Sequence, residues 1–226
     1  MSFLKRLTRD AFRDGSPTKT RSPFDTASPK QLDEHLRTAR YGSFLLTEAV
    51  RPSMNLEVVP SAGWRRDTYR DPESGVKIPV IMAAQTKERL FDLFVDLLDP
   101  LGDEVDVVLE TSHETLEDGH TDIYREQIDL PILKSILCDF EDLLTNDGCT
   151  GIAILNPICP MELQFDEHKL LIMYGHDLEA FERILDDRLP QSDTIRFITE
   201  AEHVHSSCEE FAEQMSELRM RLSCDE

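Results

Sequence analysis

Two stretches of this chain read as versions of one another. Lys77–His113 and Lys169–His203 each run from a short apolar strand through a helix and a Pro-marked turn to a second strand that ends in Glu-x-x-His. With small gaps, Ile81-Met82 aligns with Ile172-Met173, Pro100 with Pro190, and Glu110…His113 with Glu200…His203. A repeated strand-helix-strand order must bury similar apolar faces twice. That narrows the choice to sheets with helices laid against them.

The match extends towards the N-terminus of each stretch. Ser28-Pro29-Lys30-Gln31 is a helix start, with Ser as N-cap, Pro at the first helical position and Gln at the third. The helix it opens, 29–39, has its counterpart in Pro131–Leu144. Gly42–Thr47 and Met54–Val59 read as strands matching Gly151–Leu155 and Met161–Phe165. Glu104–Glu110 alternates, with Val105, Val107 and Leu109 on one face and Asp106 and Glu110 on the other. The expected fold class is therefore α+β with an internal duplication: two α-β-β-β-α-β halves, mainly antiparallel sheets covered by helices, and a closing C-terminal helix over Cys208–Leu222. The expected domains are a basic tail (1–27), a first repeat (28–113), an acidic connector (114–129) that includes an extra edge strand over Ile123–Ile128, and a second repeat with the closing helix (130–226).

Charge and cysteines restrict function. Against 24 basic side chains stand 45 acidic ones, a net charge of −21, and such a surface repels nucleic acid. Five cysteines without a C-x-x-C spacing read as free thiols in a reducing compartment, so a cytoplasmic location is expected. Residues 1–28 carry six basic against three acidic residues. The apolar positions Phe3, Leu4, Leu7 and Phe12 within 1–14 are the one expected point of membrane contact. The acidic body of the protein itself is the alternative dock for that tail.

Two groups of residues carry chemistry. The paired endings Glu110/His113 and Glu200/His203 are candidate ligands for a divalent metal at the junction of the halves, with His120, Asp122, His205 and Cys208 close in sequence. Stretch 60–76, read as an inserted loop, holds the only Trp of the chain. Its Trp64, Arg65, Arg66, Tyr69 and Arg70 are residue types that anchor interfaces; alternatively Trp64 folds into the core. P-loop, G-x-G-x-x-G, H-E-x-x-H and G-x-S-x-G patterns are absent from the sequence.

The order of helix, three-stranded meander, helix and strand, together with the acidity, resembles the small acidic chaperones of secretion systems. The resulting expectation is a non-enzymatic interaction scaffold or chaperone-like adaptor without a cofactor, binding a protein partner or a second copy of itself. The alternative is a metal-binding protein or enzyme at the Glu-x-x-His pairs.

Overall fold

The computed structural model describes residues 24, 27–70, 75–113 and 121–224. Residues 1–23, 25–26, 71–74, 114–120 and 225–226 lie outside the described residues, and with them the stretch 1–14 expected to contact a membrane, most of the basic tail, and His120.

The chain builds one seven-stranded antiparallel sheet from strands of both halves. Its elements are β4 (Gly63–Arg70), β5 (Lys77–Ala84), β6 (Glu104–Thr111), β7 (Thr121–Asp129), β8 (Thr150–Leu155), β9 (Met161–Phe165) and β10 (Leu171–Gly175), in the spatial order β4-β5-β10-β9-β8-β6-β7. The inner strands read as nearly continuous apolar runs because both faces of the sheet are covered. On one face, Ile81, Leu109, Ile154, Leu163 and Met173 pack under the helices. These are α2 (Lys87–Asp96), α3 (Leu130–Asp139), α4 (Glu141–Asn146), α5 (Glu179–Asp186) and α6 (Glu209–Leu222). On the other face, Val80, Met82, Val108, Ala153 and Tyr174 form a second core with Ile195 and Phe197. The alternation expected for β6 holds, with Val105, Val107 and Leu109 towards the helices and Val108 on the opposite side.

Outside the sheet, α1 (Pro29–Arg37) starts at Ser28 with its capping box formed. The ring of His35 on this helix donates through Nε2 to the Pro52 carbonyl at 2.8 Å. Strands β1 (Arg40–Tyr41) and β2 (Phe44–Leu45) make a short ribbon, and β3 (Val50–Pro52) pairs with β11 (His203–His205). Arg51 fixes β3 from within: it is buried, and its guanidinium donates to the carbonyls of Leu36, Thr47 and Val50.

Several expected elements change. Stretch 60–76 is not an inserted loop. Gly63–Arg70 is edge strand β4, in register with β5 from Gly63↔Ala84 to Arg70↔Lys77. Its charged residues are those an edge strand turns to solvent. No strand forms over 54–59, so the resemblance to a three-stranded meander does not carry over. Helix 131–144 is broken at Phe140 into α3 and α4. The aligned pairs Ile81-Met82 and Ile172-Met173 face one another across β5 and β10, Ile81 opposite Met173 and Met82 opposite Ile172. The equivalence ends beyond them. β6 enters the main sheet, whereas Ile195 and Phe197 pack on the face opposite Ile81 and Leu109, and their segment ends in a 3-10 turn, Ile198–Glu200.

Candidate metal centre

Three histidines meet where the β9–β10 hairpin approaches β11. His203 and His205 sit two apart on β11, and the period of two sends both side chains to the same face. His168 comes from the hairpin turn Asp166-Glu167-His168-Lys169. Ring centroids are 4.8 Å apart for His168 and His203, 4.7 Å for His168 and His205, and 5.1 Å for His203 and His205. One ligand nitrogen from each lies within 4.8 Å of the other two, and all three residues are half-buried.

Each ring is held by its Nδ1 at 2.8 Å from an oxygen. His203 faces the Ala201 carbonyl, His205 the Gly148 carbonyl and His168 the Asp166 carboxylate. A carbonyl or carboxylate only accepts, so Nδ1 carries the hydrogen in all three rings. In its neutral form each imidazole then has its lone pair on Nε2. Tying the second nitrogen of a histidine to a carbonyl or carboxylate is the arrangement that orients metal-ligating imidazoles.

The sequence builds these supports locally. Asp166 closes the hairpin turn by accepting Leu170 N–H on Oδ1 at 2.7 Å and grips His168 with Oδ2. Lys169 takes a left-handed conformation (φ 64°) to complete that turn. Its buried ammonium donates to the Thr150 carbonyl at 2.7 Å, on the same loop whose Gly148 carbonyl holds His205. Gly148 is required there by close approach: a Cβ would stand 2.4 Å from the Ala49 carbonyl oxygen and 2.8 Å from that of Ser206.

Burial disfavours charge on the rings. It lowers the pKa of His203 and His205, and a positive His168 lowers His205 further. At His168 burial acts in the same direction, but the charge and hydrogen bond of Asp166 outweigh it and raise the net value. Burial likewise opposes charge on Asp166, which His168 and Lys169 nonetheless keep low and anionic. The group is three imidazoles backed by a carboxylate. That donor set suits zinc, copper, iron or nickel.

Of the four residues expected as ligands, His203 alone joins this group. His113 is committed elsewhere: its Nε2 donates to Asp147 at 2.7 Å. Asp147 is completely buried and also accepts from Thr150, Ser207 and Cys149 N–H. Glu200 pairs with Arg65 at 2.8 Å and with Arg196 at 3.4 Å. Glu110, on the helix-free face of the sheet, leans over Gly151, its Oε2 3.2 Å from where a Cβ there would stand. The expected convergence fails for two reasons. β6 ends at Thr111, so Glu110 stays on the sheet while His113 lies in the turn beyond it, and the second ending is a 3-10 turn leading into β11.

The expected interface residues are also placed. Trp64 is 1% exposed and belongs to the helix-side core. Tyr69 is buried, with its ring edge-on to Tyr174 at 6.4 Å. Arg65 bonds Glu200 and lies 5.0 Å over the Phe197 ring. Arg66 grips Glu182 on α5 through two bonds of 2.6 and 2.7 Å. Arg70 is exposed at the strand end. Comparison with known protein families, curated proteins and solved structures finds no match.

Proposed function

We propose that the chain is a metal-binding protein whose His168, His203 and His205 hold one divalent transition ion of the zinc class. The observation that carries this reading is the gathering of three rings whose Nδ1 atoms are all tied to acceptors, with one nitrogen of each ring within 4.8 Å of the other two. A tetrahedral ion at about 2.0–2.1 Å from each nitrogen spaces its ligands roughly 3.3 Å apart, so the trio closes slightly as the ion enters. Among the described residues no thiol or carboxylate joins the three histidines at ligand distance. Three protein ligands with a fourth position left to water or substrate is the pattern of catalytic rather than structural zinc. An ion so held polarises a bound oxygen and lowers the pKa of a bound water to about 7.

Trp64 and Tyr69 are buried, which favours the metal reading over a docking surface anchored on those two side chains. No helix among the described residues is long and apolar enough to cross a membrane. The test of the metal reading is elemental mass spectrometry of the untagged full chain, with cobalt(II) absorption as a probe of coordination. One ion per chain, lost in His205→Ala, is expected. Failure to take up zinc, cobalt or iron(II) on incubation would overturn the assignment.

A further inference from the structure

The sheet face opposite Ile81 and Leu109 is apolar well beyond the two residues described over it. By the period of two, Val108 on β6, Ala153 and Leu155 on β8, Ile172 and Tyr174 on β10 and Val80 on β5 all point to that side. Ile195 and Phe197 lie over its β4 end: Ile195 stands beside Gly63, and Phe197 lies under the Arg65 guanidinium. Strands stand about 4.8 Å apart, so β6, five places along from β4, is roughly 24 Å away. Neither side chain reaches that far. Val108, Leu155 and Tyr174 are nevertheless each 3% exposed.

The same end of the face is acidic. Asp106 and Glu110 flank Val108 on β6, Asp122 stands opposite Glu110 on β7, and Glu162 on β9 stands opposite Leu155 and Tyr174. Among the described residues none of these four carboxyl groups has an ion-pair partner. A cover for this end must therefore bring apolar side chains and positive charge together. Of the stretches outside the described residues, 71–74, 114–120 and 225–226 are short and acidic. The long one, 1–23, sets Phe3, Leu4, Leu7 and Phe12 among six basic and two acidic residues. The described chain begins beside it at Phe24, whose ring is edge-on to that of His35 at 5.9 Å. Residues 15–23 alone span up to about 30 Å when extended, enough to carry 1–14 across the sheet.

We propose that residues 1–14 dock on this face of their own chain. Phe3, Leu4 and Leu7 take the places against Val108, Leu155 and Tyr174, and Arg6, Arg9 and Arg13 lie towards Asp106 and Asp122. The long arginine stems cover apolar surface while their charged ends reach the acidic rim. The docked segment keeps from water a sheet face that would otherwise be an open apolar patch. Nothing in this docking depends on the metal ion.

The test is photocrosslinking in the dilute full chain carrying Leu7→p-benzoylphenylalanine, with the products mapped to single residues by mass spectrometry. Intramolecular crosslinks to Val108, Leu155, Tyr174 or their neighbours on that face are expected. Their yield should fall roughly tenfold when Arg6, Arg9 and Arg13 are all replaced by Glu. In the full chain with Leu7→Asp and Phe12→Asp, Nile red fluorescence should rise as the face opens. Near-ultraviolet circular dichroism of the buried Trp64 should stay unchanged, showing that the body is still folded. Crosslinks to helices α2–α6, crosslinks only between two chains, or Nile red fluorescence that does not rise in the folded double variant overturns the proposal. So does a crosslink yield that ignores the three Glu replacements. Absence of intramolecular crosslinks, together with crosslinks to lipid when phosphatidylserine vesicles are added, assigns the segment to a membrane instead and overturns it as well.

Discussion

The two Glu-x-x-His endings have the same letters and opposite fates. In the first, His113 turns Nε2 to the buried carboxylate of Asp147 and becomes an internal tie. In the second, His203 spends Nδ1 on a backbone carbonyl, and its ring lies 4.8 Å from that of His168 and 5.1 Å from that of His205. The glutamates diverge as well. Glu110, buried among Asp122, Glu162, Asp166 and Glu167, has its pKa raised to about 8, chiefly by burial. Burial also pushes Glu200 upward, but the Phe197 N–H and the Arg65 guanidinium more than compensate and hold it low. What separates the proposed ligand His203 from the structural His113 is which nitrogen the fold has already claimed.

The comparison is most strongly tested at the histidines. His203→Ala should abolish stoichiometric zinc, read by elemental analysis, while His113→Ala retains it; zinc loss in His113→Ala would erase the distinction. For stability the order reverses. His113→Ala strips a buried carboxylate of a charge-assisted bond and should cost about 2–4 kcal/mol in denaturant unfolding, whereas His203→Ala, measured without metal, should cost far less. Asp166→Asn weakens the grip on His168 but retains an oxygen for the turn. It should lower zinc affinity by about 10–100-fold in competition with a chromophoric chelator.

Weaker still are the effects of the two glutamates on pH dependence. The folded chain keeps the Glu110 proton to about pH 8, whereas the unfolded chain releases it near ~4.3. Wild-type stability therefore falls as pH rises between those values. Glu110→Gln should remove that slope and stabilise the protein at pH 8 by roughly 1–3 kcal/mol. Glu200 acts with the opposite sign. Its depressed pKa contributes stability above the unfolded value that is lost on acidification, so Glu200→Gln should flatten the acid limb of the curve slightly. An acid limb identical to wild type would remove Glu200 from that account.

How much of this could be read in the residues differs by region. The capping box at Ser28, the alternation of β6 and the apolar runs of β8 and β10 are local signals, and all three reappear in the fold. β4 was hidden because an edge strand shows its polar side to solvent, so W-R-R-D-T-Y-R looks like a loop until its pairing with β5 is seen. β11 has three residues and exists through β3, which no local pattern reveals. At the site, the usable signal in the sequence is the His-x-His spacing of His203 and His205, which puts two rings on one strand face, whereas the repeated Glu-x-x-His pattern carries His203 alone into the group. His168 gave no sign in a four-residue turn, since its place beside β11 is set entirely by tertiary packing.

The pairing of β3 with β11 joins segments far apart along the chain. The hairpins β4–β5, β6–β7 and β9–β10 join strands close along the chain, but β5 meets β10 through partners such as Ile81 and Met173, and β3 meets β11 through Val50 and His205. Closing such long loops is entropically costly and places sheets of this kind among the slower folders, on the order of milliseconds to seconds. The histidines on β11 are held in place by its pairing with β3. On the metal reading proposed above, metal uptake in a refolding experiment should therefore lag behind the burial of Trp64.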